Sequence, residues 1–293
     1  MISLYLYICE CYKNQLIFHA MRMSNNNQPN FTDEELITVY IFGILNKQFE
    51  IKGIYNYIKD YWLEWFPFLP SYQAFNNRLN RLEDVFPKLL ESILKEISSN
   101  PDIRQHIGLL DSFPIMLAKS PRCDKAKVGR EEGVANKGYC SSKDIYYHGV
   151  KIHIFATKAQ ETLPIPKYIG LTPGGESDLK AVEMSILPLC VNMDIYADKA
   201  YFKEVLVREL KEKQNVSLYT PIKKEKGQER LNSADKLFSE AVSRMRQPIE
   251  SLFNWIQEKT HIQFASKVRS TKGIFIHVFG RLAAAMLILV LGL

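Results

Sequence analysis

The sequence predicts an α/β protein, in which a mixed sheet flanked by helices is preceded by an all-α N-terminal region. Apolar residues recur at helical spacing between about residues 32 and 100. Short apolar runs of strand length begin at Ile107, and a helical pattern returns from Ser233 to the end. Strands that alternate with helices are typical of a mixed sheet covered by helices.

Three helices are predicted in the N-terminal region. The first starts at Thr32, because Thr32 and Glu35 form a capping-box pattern ahead of an apolar series. The second spans Gly53 to Trp65 and ends before two prolines that discourage its continuation. The third starts at Ser71 and carries apolar residues at helical spacing.

The third predicted helix has a polar face opposite its apolar one. Asparagine and arginine side chains hydrogen-bond to base edges and phosphates, so this face predicts DNA contact, with Arg78 and Arg81 as the basic residues. A solvated helix face explains the same pattern equally well. The face consists of Asn76, Asn77, Arg78, Asn80 and Arg81.

Strand-length runs give the order of the sheet elements. The predicted strands are IGLLD, YHGVKIHIFAT, KYIGLTPGG, MDIYAD and VSLYTPI. A predicted helix, SDLKAVEMSILPL, follows the third strand, and KEVLVRELKEKQ separates the last two. We place the domain boundary near residues 98–105, so that residues 25–103 form a helical domain and residues 104–293 the sheet domain. Residues 1–24 are expected to be disordered or a loosely attached extension.

The composition is that of a globular protein with an uneven charge distribution. The chain has 293 residues, of which 46% are hydrophobic and 24% charged, and its net charge is +6. Residues 1–110 carry 10 basic against 12 acidic residues, whereas residues 111–293 carry 28 against 20. A basic surface around an acidic centre suits a polyanion held over bound metal. A solvated surface with a modest lysine excess gives the same numbers.

Cysteine usage and hydropathy predict a cytoplasmic protein. The five cysteines are an odd number without repeated spacing, which favours reduced thiols. No continuous apolar run reaches the roughly 18–20 residues of a membrane span, and Leu282–Leu293 is expected to be a packed terminal helix. The first residues, MISLYLYICECYKNQ, lack the basic start and the cleavage site of a signal peptide.

Three acidic residues in different contexts are the candidate catalytic and metal-binding residues. Asp111 ends the run IGLLD, Asp198 ends MDIYAD, and Glu250 lies in a predicted helix. Two carboxylates at the ends of adjacent strands and a third on a helix can hold two Mg²⁺ ions roughly 3.5–4 Å apart, which suits reactions of phosphodiesters. Two rival acids remain. Asp194 lies on the same strand face as Asp198 but nearer its start, where ligands rarely converge, and Asp178 looks more like a helix cap.

Residues beside these acids are candidates for contacting DNA. Arg246 lies four residues before Glu250 on one helical face, where it can hold a phosphate or form an intrahelical pair. Pro248 should break or kink this helix, so Glu250 is expected at the start of a new helix or just after a kink. Lys199 and Tyr201 follow the second acid and can touch a DNA backbone, although loop residues need no such role.

Several strings resemble the catalytic blocks of bacterial insertion-sequence transposases of the DDE type, namely LLDSFP, YHGVKIH, YADKAYF and RMRQPIESLFNWIQEKT. The runs FTDEELITVYIFG and LEWFPFLPSYQAFNNRLNRL resemble the N-terminal region of the insertion-sequence group nine-eighty-two. The resemblance covers about residues 30 to 293. It implies a helical DNA-binding domain and an RNase H-like DDE catalytic domain, with Asp111, Asp198 and Glu250 as the metal-binding acids.

The resemblance also implies a reaction and its partners. A transposase of this type cuts DNA at transposon ends and transfers the 3′-hydroxyl into target DNA, with two Mg²⁺ ions for which Mn²⁺ can substitute. The implied partners are double-stranded terminal inverted repeats and target DNA, held by a homodimer in the bacterial cytoplasm, where it associates with the nucleoid on binding DNA. Two alternatives stay open: an inactive DNA-binding regulator, and a metal-dependent nuclease without strand transfer.

The sequence departs from the wider family pattern at two positions near the third acid. That pattern often carries a tyrosine before the arginine and a lysine after the glutamate. Ser243 and Gln257 stand at these positions here, while Arg246 and Glu250 match the pattern. The departure weakens any DNA contact inferred for Ser243 and Gln257 and leaves the three acids untouched.

Overall fold

The structure is a computed structural model that describes residues 1–20, 29–98, 106–159, 162–183, 185–225 and 227–292. The chain divides into two compact units. The first unit comprises Met1–Ile97, Lys127–Glu132 and Ile256–Leu293, and the second comprises Ser98–Ala126 and Gly133–Trp255. The boundary that we placed near residues 98–105 falls mostly outside the described residues.

The first unit contains helices from both ends of the chain. The chain-initial helices are α1 (Ile2–Asn14), α2 (Asp33–Leu45), α3 (Ile51–Tyr61), α4 (Tyr72–Arg81) and α5 (Val85–Ser98). As predicted, Thr32 caps α2 through a capping box with Glu35, and Ser71 caps α4. The predicted third helix is divided, because α4 ends at Arg81 and α5 begins at Val85.

Helix α1 differs from the loosely attached extension that we expected for residues 1–24. Its apolar residues at four-residue spacing, Leu4 and Ile8, are buried, and α1 packs on α2. The hydroxyl of Tyr12 donates a hydrogen bond to Asp33 at 3.0 Å. An apolar stripe of this kind buries a helix against a neighbour. Residues 21–24 of the predicted extension lie outside the described part of the chain.

The last helices complete the core of the first unit. Helix α9 (Thr271–Phe275) continues through a π-helical turn (Ile276–Gly280) into α10 (Arg281–Leu291), which packs on α2. A Cβ atom at Gly280 would lie 2.6 Å from Cε1 of Tyr40, so glycine permits the close approach. This contact joins residues from opposite ends of the sequence.

By length and hydropathy, the helical stretch Thr271–Leu291 can cross a membrane, which differs from our expectation that no segment is long enough. Its most apolar window has a mean hydropathy of 2.3, and 67% of that window is buried inside the protein. The stretch includes Arg281, whose guanidinium donates hydrogen bonds to the carbonyl oxygens of Thr260 and Phe49. This burial and bonding are those of a helix in a protein core, as we expected for the last residues.

The second unit is a mixed sheet flanked by helices, which confirms this part of the predicted fold class. Its strands follow the order β2-β3-β1-β5-β6, and β4 also pairs with β3. Strand β1 is antiparallel to β3 and parallel to β5, and β5 is parallel to β6. The elements are β1 (Ile107–Lys119), β2 (Asn136–Cys140), β3 (Ile145–Thr157), β4 (Ile165–Pro173), α6 (Asp178–Glu183), β5 (Met193–Ala197), α7 (Glu204–Gln214), β6 (Val216–Tyr219) and α8 (Ser233–Thr260), of which residues to Trp255 belong here.

Strand β1 is much longer than the run IGLLD predicted. It continues for eight residues beyond Asp111, through Pro114, to Lys119. Its pairing with β5 ends at Leu110, and a proline is tolerated in a strand that has one unpaired edge. Asp111 therefore lies within a strand and not at its end, which corrects our expectation.

The core beneath the sheet holds the site-bearing strands in place. Leu110 and Phe155 come from β1 and β3, and Ile195 and Ala197 come from β5. All four are fully or almost fully buried. Each of the three larger side chains contributes on the order of 1.5–3 kcal/mol, so the strand positions are strongly specified.

Candidate active site

Asp111 and Asp198 are neighbours across the parallel strands β1 and β5. The pairing aligns Leu110 with Ala197, and each acid is the next residue of its strand. Aligned residues of neighbouring strands project from the same face of a sheet. Both carboxylates therefore lie on one face of the sheet. Their strands are adjacent, as the sequence predicted, although only Asp198 follows the end of its strand.

Glu250 is linked to Asp111 through Arg246. The two guanidinium nitrogens of Arg246 bind Asp111 Oδ2 and Glu250 Oε1, each at 2.5 Å. Arg246 and Asp111 are largely buried, with side-chain exposures of 17% and 16%, whereas Glu250 is 51% exposed. Arg246 thus connects Glu250, on helix α8, to Asp111, on the central strand β1.

Helix α8 passes through Pro248 without a break, which corrects the expectation that Glu250 starts a new helix. The helix runs from Ser233 to Thr260 with Pro248 inside it. Ile249 and Leu252 are fully buried beside the proline. Their packing offsets the local cost of the missing backbone hydrogen bond, because tertiary contacts supply most helix stability in proteins.

The site concentrates negative charge at a poorly hydrated position. Burial raises the pKa of Asp111 to about 6, while Arg246 and the backbone N–H of Ser112 act in the opposite direction. Asp198 and Glu250 raise it further by repulsion, so both of these acids lie within electrostatic range of Asp111. Such a group gains from a bound cation, and Arg246 provides the positive charge here.

The donor set fits a divalent metal by its chemistry. Carboxylate oxygens are the protein ligands that Mg²⁺ prefers. Within the described ranges, no three acidic, histidine or cysteine side chains are already arranged around a common point. Arg246 occupies one oxygen of Asp111 and one of Glu250, so a metal ion that used these two oxygens would displace its guanidinium.

The rival acid Asp178 has a cation of its own. Its Oδ1 accepts hydrogen bonds from Lys151 Nζ at 2.8 Å and from Ser112 Oγ at 3.1 Å. Lys151 also donates to the backbone carbonyl of Glu176 at 3.0 Å. Asp178 therefore lies beside the site through Ser112, but its charge is balanced, which favours a positioning role over metal binding.

Sequence reasoning did not find Lys151. It lies in β3, opposite Pro114 of β1, among residues that are nearly all buried. A lysine inside an apolar strand is rare unless it is paired, and this was the available signal. Nearby His153 is buried, its pKa is lowered by burial to about 4, and its Nε2 lies 2.8 Å from Thr172 Oγ1, so it is neutral at pH 7.

Tyr201 is not available to DNA, which corrects one predicted contact. Its side chain is 1% exposed and packs in the core with Leu206. Lys199, two residues earlier, is exposed at the start of the same 3₁₀ turn. The backbone N–H of Lys199 donates a hydrogen bond to the carboxylate of Asp198 at 2.7 Å. The short turn directs one predicted contact outward and the other into the core.

Arg78 is engaged within the first unit, and its predicted DNA contact stays a prediction. Its guanidinium binds Asp33 at 3.0 Å and lies 5.6 Å from the centre of the Phe31 ring. Asp33 is 2% exposed at its side chain, so this pair joins α4 to the start of α2. Arg81, from the same polar face, is exposed and remains available.

Replacing Arg78 by methionine is expected to lower the free energy of unfolding by roughly 2–4 kcal/mol, because the buried Asp33 carboxylate loses a charged partner. Arg81→Met on the same helix is the matched control and should change it by less than about 0.5 kcal/mol. Urea denaturation followed by circular dichroism measures both. If both replacements had equally small effects on the free energy of unfolding, the ion pair of Arg78 with Asp33 would not stabilise the protein.

The family comparison agrees with this arrangement. A mixed sheet flanked by helices, with acids on adjacent strands, is compatible with a DDE domain. The transposase DDE domain family matches residues 102–271, which is more than half of the sequence and includes all three acids, and the chain belongs to this family. Domains of the family generally use a divalent metal ion. Searches of curated proteins and of solved structures found no match.

Proposed function

We propose that the protein is a DNA transposase that cuts a strand at transposon ends by metal-dependent phosphodiester cleavage and joins the freed 3′-hydroxyl to target DNA. The observation that carries the proposal is the convergence of Asp111, Asp198 and Glu250 within one matched domain. Three carboxylates drawn from two strands and a helix have no structural need to meet. The repulsion of Asp111 by Asp198 and Glu250 opposes folding, which favours a functional reason for their meeting.

Asp111 and Asp198 would hold divalent metal, and Glu250 would complete its binding. Two Mg²⁺ ions, or Mn²⁺ as a substitute, supply Lewis acidity at the attacking and leaving oxygens when bound. Ser112 fixes the orientation of Asp111, because its backbone N–H donates to Oδ1 at 2.8 Å. Arg246, once released from the carboxylates, has the charge and geometry to pair with phosphate oxygens of the substrate.

Lys151 and Asp178 support the site without taking part in the chemistry. Their ion pair is largely buried, with side-chain exposures of 15% and 24%. It balances the charge of Asp178. Asp178 in turn accepts a hydrogen bond from Ser112, the strand residue next to Asp111. Strand β1 is therefore constrained at the point where its carboxylate faces substrate.

The topology supports an RNase H-like classification for the second unit. A central strand antiparallel to one neighbour and parallel to the other, with acids at aligned positions of the parallel pair, is compatible with a DDE domain. We also propose that the protein comes from a bacterial insertion sequence of group nine-eighty-two and acts in the cytoplasm, on the nucleoid. The helical N-terminal region would recognise terminal inverted repeats, and a homodimer would hold two ends.

A strand-joining assay tests the proposal. The intact protein is incubated with Mg²⁺, a target plasmid and a labelled terminal inverted repeat taken from the DNA that flanks its gene. Label joined to the plasmid is the expected result, because one site is proposed to perform cleavage and transfer. Cleaved ends without joined product would identify a nuclease without strand transfer. Bound but uncut DNA would identify an inactive regulator.

A further inference from the structure

We propose that the first unit carries a binding groove for single-stranded DNA between helix α4 and the segment Phe264–Gly273. The groove has a cavity of about 880 Å³. It is lined by the polar face of α4, by the start of α3 and by residues from the C-terminal part of the unit. The proposal concerns a different surface from the carboxylate site and does not depend on cleavage.

The rim of the groove is strongly basic. Five exposed cations line it, against one acid, Glu50. Lys272 pairs with Glu83 at 2.7 Å and Lys267 lies 4.0 Å from Glu50, but exposed pairs of this kind are weak and exchange readily with a phosphate. The cations are Lys52, Arg81, Lys267, Arg269 and Lys272.

The lining also includes a buried guanidinium without an acidic partner. Arg281 is 5% exposed, and its two terminal nitrogens donate to the carbonyl oxygens of Thr260 and Phe49. Its Nε has no hydrogen-bond partner, and none of the ion pairs of the described residues includes it. A buried cation that is not neutralised is costly, and an anion entering the groove would relieve that cost. Phosphate is the matching anion for a guanidinium.

The aromatic and asparagine side chains that line the groove are suited to binding nucleotide bases. The rings of Tyr72 and Phe264 are 37% and 44% exposed, and Phe264 lies against His261 with ring centres 5.3 Å apart. Exposed rings beside cations are the usual platform for stacked, unpaired bases. Asn76 and Asn77 line the same groove, and their amides can bond to base edges.

The size of the groove selects a single strand over a duplex. A volume of 880 Å³ is that of a pocket for a small molecule or a few nucleotides. The major groove of a duplex is about 12 Å wide and receives a projecting helix. Here the polar face of α4 lines a concavity, so its side chains are presented to something that enters. Unpaired nucleotides fit this arrangement.

Anisotropy of a short fluorescein-labelled oligothymidylate tests the groove, using the intact protein in EDTA so that no cleavage occurs. The variant Lys52→Ala/Lys267→Ala is expected to weaken binding at least about tenfold. It should also reduce the slope of log affinity against log salt by about 1.4, which corresponds to two lost phosphate contacts. Lys13→Ala/Lys59→Ala removes the same charge from exposed positions outside the groove and should bind as the wild type does.

Phe264→Ala tests the stacking part of the proposal. It should weaken oligothymidylate binding about tenfold and leave binding of an abasic strand of equal length unchanged. Phe18→Ala, at a 79% exposed residue outside the groove, is the control.

The proposal is overturned if the groove variants weaken duplex binding as much as single-strand binding, or if they match their controls. The proposal is also overturned if inorganic phosphate displaces the labelled oligothymidylate as well as an unlabelled strand does at the same phosphate concentration. The groove would then be an anion site only. Asp111→Asn should retain single-strand binding, which separates this test from that of the carboxylate site.

Discussion

Replacing Asp111, Asp198 or Glu250 by its amide is expected to reduce Mg²⁺-dependent cleavage of transposon-end DNA by roughly a thousandfold or more. Each replacement keeps the size of the side chain but removes a charge that the site uses. Asp198 and Glu250 both act electrostatically on Asp111, and Arg246 pairs with Asp111 and Glu250, so the loss of any one acid changes the charge balance around Asp111. Single-turnover cleavage of a labelled end measures the effect.

Matched acids in the same elements provide the controls. Asp194→Asn changes strand β5 at its other end, opposite Ile107 of β1. Glu240→Gln changes an exposed acid of helix α8 that lies 3.9 Å from Lys236. Both should cleave at near wild-type rates, and all variants should still bind end DNA. Normal cleavage by Asp198→Asn together with loss in Asp194→Asn would move the second acid to the rival position.

Removing the charge of Asp111 is also expected to stabilise the protein without metal at pH 7, by roughly 1–3 kcal/mol. Burial raises the pKa of Asp111 from 3.8 to about 6. Between these values the folded state holds a proton that the unfolded state has released. Stability from this residue is therefore fully present below about pH 4 and is lost as the pH rises through about 6. The asparagine variant lacks this loss.

Mg²⁺ should reverse the order of stability. At a concentration a hundredfold above its dissociation constant, a ligand of the folded state adds about 2.7 kcal/mol. The wild type should gain this stability from Mg²⁺, and Asp111→Asn should gain much less. Urea denaturation of both proteins between pH 4 and 7, in EDTA and in Mg²⁺, measures the difference. A wild type that is the more stable protein in EDTA at neutral pH would contradict the assigned cost of the buried carboxylate.

Much of the sheet was predictable, because buried strands need continuous or alternating apolar residues. The runs around Val150, Ile195 and Leu218 each form a strand where the pattern indicated one. Strand β2, Asn136–Cys140, was missed because its short sequence NKGYC is mainly polar and has only two buried residues. The extension of β1 beyond Asp111 was missed because Ser112 and Pro114 are typical turn residues. Pairing with β3 outweighed that local preference.

The candidate site was predictable in its acids but not in its surroundings. Asp111 and Asp198 follow apolar runs, and that position is visible in a sequence. Whether a residue after a strand faces solvent depends on what packs over it, so Tyr201 was misplaced while Lys199 was not. The ion pair between Lys151 and Asp178 joins residues 27 positions apart that only the sheet brings together. No local pattern encodes such a contact.

The first unit combines segments from both ends of the chain, and this sets the order in which the protein can fold while it is being synthesised. Tyr40 donates a hydrogen bond to the carbonyl of Ile276, 236 positions later, and α10 packs on α2. The N-terminal helices therefore leave the ribosome with an apolar surface that only the last helices cover. The sheet unit has its residues available earlier. A recombinant fragment of residues 1–98 would lack that cover, so the N-terminal helices are better expressed together with α9 and α10.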